Sequence, residues 1–358
     1  MTGWSVCIAT LNRAQSLRRA ILHVLQQTIL PDQIVIVDAS TDWQDSHAAI
    51  AALLAGHPAI RLDYVHSVVR SSATQRNVGI ALCTGDVIFL IDDDSFLYPD
   101  CAEQILMLYD ADQGQEVAAI RADLTDIPPV LSIDENRVLE RKKSGNRGEL
   151  EPLKNAALGS RFGRWFHRRV LMQSMQETFL RYDGPRLKPL PAALLALNVD
   201  TVSFMPGCAM TVRRDIAIAE PFDAALRYYA AYEDVDVSYR YAKHGHVLFT
   251  PQARLHHFEV AGGRMDRKKI IAFQLLNMVV FLRRHADNSD DWVSRYQVMM
   301  YRRLLGEFLK DLLSGRTGFP QMRGVLLARQ HWRRLWAVPV DQLDDYYPEL
   351  QRHILERL

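Results

Sequence analysis

Cysteine is scarce in this chain. Only four occur among 358 residues, at Cys7, Cys83, Cys101 and Cys208, and no two form a Cys-x-x-Cys pair. That spacing argues against a disulfide scaffold or a zinc ribbon and leaves small buried residues of a reducing compartment. Net charge is also slight: 43 Lys and Arg against 42 Asp and Glu give +1, so bulk charge does not point to a nucleic-acid partner. A long hydrophobic run is missing too. The longest, Ile270 to Leu282, is interrupted by Gln274 and Asn277 and falls short of the ~20 residues that cross a bilayer. The chain enters strand-like sequence at Trp4 without a charged leader and long apolar core, so a cytoplasmic location is expected. No internal repeat or low-complexity segment is present.

What the chain does have is 48% hydrophobic and 24% charged residues, the balance of a globular protein with a sizeable core. Over the first 120 residues, strand-like and helix-like runs alternate. Strands are expected at Trp4–Ala9, Gln33–Asp38, Ile60–His66, Asp86–Ile91 and Val117–Ile120, and helices at Ser16–Gln27, Ser46–Leu54, Ala73–Leu82 and Pro99–Tyr109. The β-branched run Ile34-Val35-Ile36-Val37 suits a strand covered on both faces. Strands separated by helices predict a doubly wound α/β sheet, in which ligands bind beyond the carboxyl ends of the strands. Thr10, Asp38 and Asp92 to Asp94 fall at those ends. Later, Val202–Val212 reads as core, Glu233–Tyr241 as a helix and Val247–Thr250 as a strand, and from Met265 onward the pattern is helical.

Asp92-Asp93-Asp94 directly follows the apolar strand Val87-Ile88-Phe89-Leu90-Ile91. Three adjacent carboxylates at the rim of a buried sheet repel one another unless a cation neutralises them. Hard divalent ions such as Mg²⁺ or Mn²⁺ take oxygen ligands and keep positions open for phosphates. Alternate residues of an extended segment point the same way, so Asp92 and Asp94 can share one ion while Asp93 faces elsewhere. The competing reading is a solvated acidic turn before the Pro99 helix.

The chain resembles a family-2 glycosyltransferase with the GT-A fold, from about Ser5 to His257. The residues that carry the resemblance are Val6-Cys7-Ile8-Ala9-Thr10-Leu11-Asn12-Arg13, Ile36-Val37-Asp38-Ala39-Ser40, Arg76-Asn77-Val78-Gly79, Asp92-Asp93-Asp94, Pro206-Gly207-Cys208-Ala209-Met210, Tyr232-Glu233-Asp234-Val235-Asp236 and Leu255-His256-His257. Each is a weak signal; their order along the chain is specific. Ala39 stands where relatives often carry Gly, and the gap between Asp94 and Gly207 is long enough for an insertion over roughly 124–199.

The resemblance implies a metal-dependent, inverting transfer of a sugar, hexosyl or related, from a UDP-, dTDP- or GDP-sugar to the hydroxyl of a glycan, lipid-linked or other acceptor. Asp92, Asp94 and His257 would ligate the ion, with His256 as the lesser choice, and imidazole suits Mn²⁺ better than Mg²⁺. Thr10, Asn12, Arg13, Asp38, Asp92 and Asp93 would line the donor site, with Arg76 near its diphosphate. Asp38 would accept a hydrogen bond from the base, since an ionised carboxylate only accepts. Asp234 would act as general base, with Glu233 orienting it or binding acceptor. Both begin a helix, where the dipole favours ionised carboxylates; acids are also common there for stability alone. Tyr228, Tyr229 and Tyr232 would stack on sugars or belong to the core.

The expected organisation is a GT-A mixed-sheet catalytic domain over 1–263, then a helical region over 264–358. Arg141–Arg169 holds nine Lys or Arg against two acids around Trp165 and Phe166, and Trp332 and Trp336 flank Arg333-Arg334. Solvated faces, helices pairing subunits, and contact with an anionic membrane surface all fit such segments. Two other classes share some of these features: a nucleotidyltransferase acting on sugar phosphates, which should show a Gly-rich loop after the first strand, and a non-catalytic sugar-binding module.

Overall fold

The computed structural model describes residues 2–130, 189–228, 231–258 and 265–356. Two compact units make up the chain: Met1–Pro129 with Tyr182–Gly263, and Val130–Arg181 with Arg264–Leu358. Most of the expected insertion, including Arg141–Arg169 with Trp165 and Phe166, lies outside the described residues, as does Tyr229.

In the first unit the order is β1 (Trp4–Thr10), α1 (Ala14–Val24), β2 (Gln33–Asp38), α2 (Trp43–Leu54), β3 (Arg61–His66), α3 (Ser72–Leu82), β4 (Val87–Asp92), β5 (Ser95–Leu97), α4 (Cys101–Ala111) and β6 (Val117–Leu124). It continues through α5 (Ala192–Leu195), β7 (Asp200–Thr201), β8 (Met210–Arg213), α6 (Arg214–Ala219), α7 (Glu233–Tyr241) and β9 (His246–His257). These strands form one mixed sheet in the order β3-β2-β1-β4-β8-β6-β9-β5, with β7 also paired to β9. β3, β2, β1 and β4 run parallel, and β8 is antiparallel to both β4 and β6.

The period-two geometry of strands explains how such apolar runs fill the unit. Val6, Ile8, Ile34, Ile36, Phe89 and Ile91 enter one core with Leu17 and Ile21 of α1 and Ile105 of α4. Cys7, Val35, Val37, Ile88 and Leu90 enter the core on the other face, with Ile80 of α3 and Val237 of α7. With both faces covered, every residue of β2 is buried. Gly79 lets α3 approach: a Cβ there would lie 2.4 Å from the Cys7 sulfur.

The structure departs from the sequence reading in three places that matter for the site. Pro206–Ala209 is a turn, closed by the Ala209 N–H donating to the Pro206 carbonyl at 2.9 Å, and the strand starts only at Met210. Asp94 leads at once into the short strand β5 rather than into a loop. β9 runs well beyond Thr250, because a register shift against β6 between Ala122 and Asp123 absorbs the residues around Pro251 and pairing resumes at Arg254. That extension sets His257 opposite Ser95 of β5.

In the second unit, the described residues form α8 (Arg267–His285), α9 (Ser289–Leu313), α10 (Pro320–Trp336) and α11 (Leu343–Glu356). Gly324 of α10 meets α8 closely, since a Cβ there would lie 2.5 Å from the Lys268 carbonyl oxygen. Trp332 and Trp336 are buried, with their rings 5.2 and 5.6 Å from that of Tyr296 on α9. These tryptophans are core, as packed helices require, and do not offer a membrane face. No described helix is long and apolar enough to cross a membrane.

Candidate active site

The parallel strands bring Thr10, Asp38 and Asp92 to one edge of the sheet: Thr10 is in register with Asp38, and Ala9 with Asp92. Strand order diverges on either side of β1, the arrangement that opens a crevice at carboxyl ends. A cavity of about 1070 Å³ lies there. Of the residues expected from the sequence, Thr10, Asn12, Arg13, Arg76, Asp92, Asp93, Glu233, Asp234 and His257 line it, together with Tyr228.

Asp38 and Asp94 are not part of that lining. Asp38 is 1% exposed; one carboxylate oxygen accepts from the Ser40 N–H at 2.8 Å and the other from the Tyr64 hydroxyl at 2.6 Å. Its oxygens are engaged inside the fold, so the base-reading role expected of Asp38 is not supported by its place. Burial and the bond to Asp38 push the Tyr64 phenol well above its usual range and keep it a donor.

The acidic triplet divides where β4 ends, Asp93 and Asp94 forming the turn into β5. Asp93 turns to the end of β1, accepting from the Thr10 hydroxyl at 2.6 Å and from Arg13 Nη1 at 3.1 Å. Asp94 is buried between Arg13 Nη1, at 3.3 Å, and His257 Nε2, at 3.0 Å. Asp92 presents the most open carboxylate of the three, with a side chain 35% exposed and Oδ2 at 3.7 Å from the same His257 nitrogen. His256, the alternative ligand, instead places Nδ1 at 2.8 Å from the Thr125 carbonyl oxygen. Asn12 holds the β1–α1 loop at φ +55°, donating its N–H to the Ser40 hydroxyl at 2.6 Å.

Two carboxylates therefore converge on one imidazole nitrogen, an oxygen and nitrogen donor set that suits a divalent cation, Mn²⁺ better than Mg²⁺. The sequence reading missed Cys208 at this place. Its thiol lies with Asp92 and His257 so that the ligand atoms are all within 4.8 Å of one another. Burial pushes the thiol's pKa up, and thiolate is a softer ligand than carboxylate, less suited to Mn²⁺ or Mg²⁺. The turn at Pro206–Ala209 sets the thiol there; the Pro206-Gly207 pair marks a turn but not which distant residues that turn meets.

Arg76 links this triad to the start of α7. It was expected near a diphosphate; it is instead 3% exposed and inside the wall. One guanidinium nitrogen donates to Glu233 at 2.5 Å, the other to Asp92 at 2.6 Å and to the Gly207 carbonyl at 3.1 Å. The turn packs tightly on Arg76 at Gly207, where a Cβ would lie 3.2 and 3.3 Å from the two guanidinium nitrogens. Tyr232 begins α7 in the left-handed region, φ +73°, a strained start of the kind found where side chains are aimed at a site. Glu233 also accepts from the Ser72 hydroxyl at 2.8 Å, and Asp234 accepts from the N–H groups of Val235 at 2.9 Å and Gly207 at 3.4 Å. Asp236 pairs with Arg240 of the same helix at 2.7 Å.

The helix start was expected to favour ionised carboxylates. Burial outweighs it: desolvation raises Glu233 to about 7 and Asp234 to about 6, against the lowering effects of Arg76 and of their hydrogen-bond donors. Asp93 is likewise raised to about 6, chiefly by burial.

Residues 5–174 match the family model described as Glycosyl transferase family 2. The chain is 37% identical over 98 residues to the putative colanic acid biosynthesis glycosyl transferase WcaA of Escherichia coli (strain K12), a match covering 27% of this chain and 34% of that one. It is 28% identical over 102 residues to the uncharacterized glycosyltransferase YwdF of Bacillus subtilis (strain 168), covering 28% and 36%. The matches thus span about a third of the length of these curated relatives. Among solved structures, GalNAc-T7 with UDP, GalNAc and Mn²⁺ shares the fold at TM-score 0.52 and 13% identity, over 99% of this chain and 58% of that one. A mannosyltransferase, PcManGT from Pyrobaculum calidifontis, in complex with GDP-Man and Mn²⁺, gives 0.49 and 12%, over 99% and 85%. With the mixed-sheet topology, these matches show a glycosyl transferase family 2 pattern over residues 5–174, carried on the GT-A fold.

Proposed function

We propose that this chain transfers a sugar from a UDP-, dTDP- or GDP-sugar to an acceptor hydroxyl, inverting the anomeric centre, with Asp234 as general base. The observation that carries the reading is the shared wall of one cavity: Asp92, His257 and Asp234 all line it, and Arg76 and the Gly207 turn link Asp92 to the start of α7. Asp92, Asp94 and His257 would hold a divalent ion, which when bound supplies positive charge to the leaving diphosphate.

The acceptor oxygen bonds to the anomeric carbon while the bond from that carbon to the β-phosphate oxygen breaks, and the diphosphate leaves with the electron pair. Asp234 takes the acceptor proton on a carboxylate oxygen. A base is most useful with a pKa just below the working pH, and the burial that raises Asp234 to about 6 moves it toward that range. Glu233, locked between Ser72 and Arg76, orients α7 rather than moving a proton. Arg76 holds Asp92 and Glu233 in fixed places. Arg13 steadies Asp93 and Asp94, so that the rim does not spring apart before donor enters.

Asp234→Asn keeps the shape and removes the base. Transfer should fall by about 10²–10⁴-fold, while Mn²⁺-dependent donor binding, followed by calorimetry, persists. Asp94→Asn should lose both. Near-normal turnover in Asp234→Asn would refute the base assignment. A panel of nucleotide sugars, scored for transfer and for slow donor hydrolysis, identifies the donor.

A further inference from the structure

The second unit carries a surface that sugar transfer does not use. On α9, Val298, Tyr301, Leu305 and Leu312 recur at helical spacing with Leu313 beside them, and each is at least 50% exposed. Residues three and four apart on a helix share a face, so these five form a single stripe. Leu326 of α10, 39% exposed, adds to it. The Arg329 guanidinium of α10 lies 4.9 Å over the Tyr301 ring, which joins the outward faces of the two helices into one surface.

The charge on this surface is predominantly positive, the exposed acids on these two helices being Asp290 and Asp291 in the first turn of α9. Between Trp292 and Val340 the chain has nine Lys or Arg and two acids. Both acids are spent inside. Glu307, 1% exposed, pairs with Arg303 at 2.6 Å and with Lys310 at 3.1 Å. Asp311, fully buried, accepts from the N–H groups of Gln321 and Met322 at 2.8 and 3.0 Å. What faces out around the leucines is Arg295, Arg302, Arg323, Arg329, Arg333 and Arg334, all exposed. A second copy meeting this face would set one cationic rim against another. Nucleic acid would answer the arginines and leave the leucines in water. The headgroup region of an anionic bilayer meets both demands, taking apolar side chains into the acyl boundary and arginines onto lipid phosphates.

We propose that the outward face of α9 and α10 docks this protein on membrane surfaces that contain anionic lipid. The docking is peripheral, and it rests on residues other than Trp332 and Trp336, which are core.

The test is co-sedimentation of the full chain with vesicles of phosphatidylcholine alone and of phosphatidylcholine mixed with phosphatidylglycerol. Binding should favour the anionic vesicles by at least about tenfold and weaken with added salt. R302E combined with R323E should lower it by about tenfold or more. L305D, at a half-exposed site, should also lower it, with melting temperature and donor hydrolysis unchanged in both variants. Equal binding to both vesicle types, no binding to either, or binding that ignores both variants would overturn the proposal. So would a doubled mass by light scattering that L305D returns to one copy, because a second chain would then cover the stripe. If L305D alone melts early, the doubly charge-reversed variant decides.

Discussion

Buried carboxylates are handled in opposite ways in the two units. In the first, Asp92, Asp93, Asp94, Glu233 and Asp234 crowd one rim and share Arg13, Arg76 and His257. In the second, Glu307 has two cationic partners of its own and Asp311 meets the first free N–H groups of α10. The number of acids matters less than whether each has a fixed partner. Acids that the fold itself satisfies hold helices together. Acids in surplus over their cations, at the mouth of a cavity, keep a net negative charge that an arriving cation can neutralise.

That contrast can be broken or sharpened by experiment. Arg76→Met should have the largest effect, because it strands Glu233 and Asp92 without their cation. We expect about 3–5 kcal/mol of lost stability in denaturant unfolding and no detectable transfer. A variant that melts normally would show the rim to be solvated rather than buried. Asp311→Asn removes the charge that holds the start of α10 and should cost about 2 kcal/mol, with turnover unchanged at a temperature where the protein is folded. A fall in kcat at that temperature would erase the difference between a structural acid and a working one. The smallest effect is in pH. Asp234 acts ionised and its pKa is raised to about 6, so kcat/KM should fall as the medium is acidified through about pH 6, by roughly tenfold per unit below it. A limb at an ordinary carboxylate pKa, near 4, would mean that burial does not set the base.

Much of the first unit was legible in the sequence, for a simple reason. Continuous apolar runs such as Ile34–Val37 and Val87–Ile91 can only be strands covered on both faces, and the amphipathic segments between them can only cover those faces. The observed β2 coincides with the expected one, and α7 likewise. The less legible residues are those whose role depends on a partner far away in the chain. Arg76 was readable as functional but not as a buried strut, because Glu233 lies 157 residues on. Cys208 looked like filler until the Gly207 turn set it beside Asp92. Trp332 and Trp336 fitted both packed helices and a membrane face, because helical spacing reveals that a stripe exists but not which way it turns. The exposed stripe belongs to α9, whose leucines would ordinarily be assigned to a core.

The sequence by itself determined the order of strands and helices, the acidic rim at the end of β4 and the family resemblance, because each is written in neighbouring residues and fixed periods. Only the tertiary structure decided that His257 rather than His256 meets the acids, that Asp38 turns inward to Tyr64, and that burial rather than the helix dipole sets the state of Asp234. Those outcomes depend on a register shift in β9, on a hydroxyl from a neighbouring strand and on how much water a wall excludes. All three are properties of groups that meet only when the chain has folded.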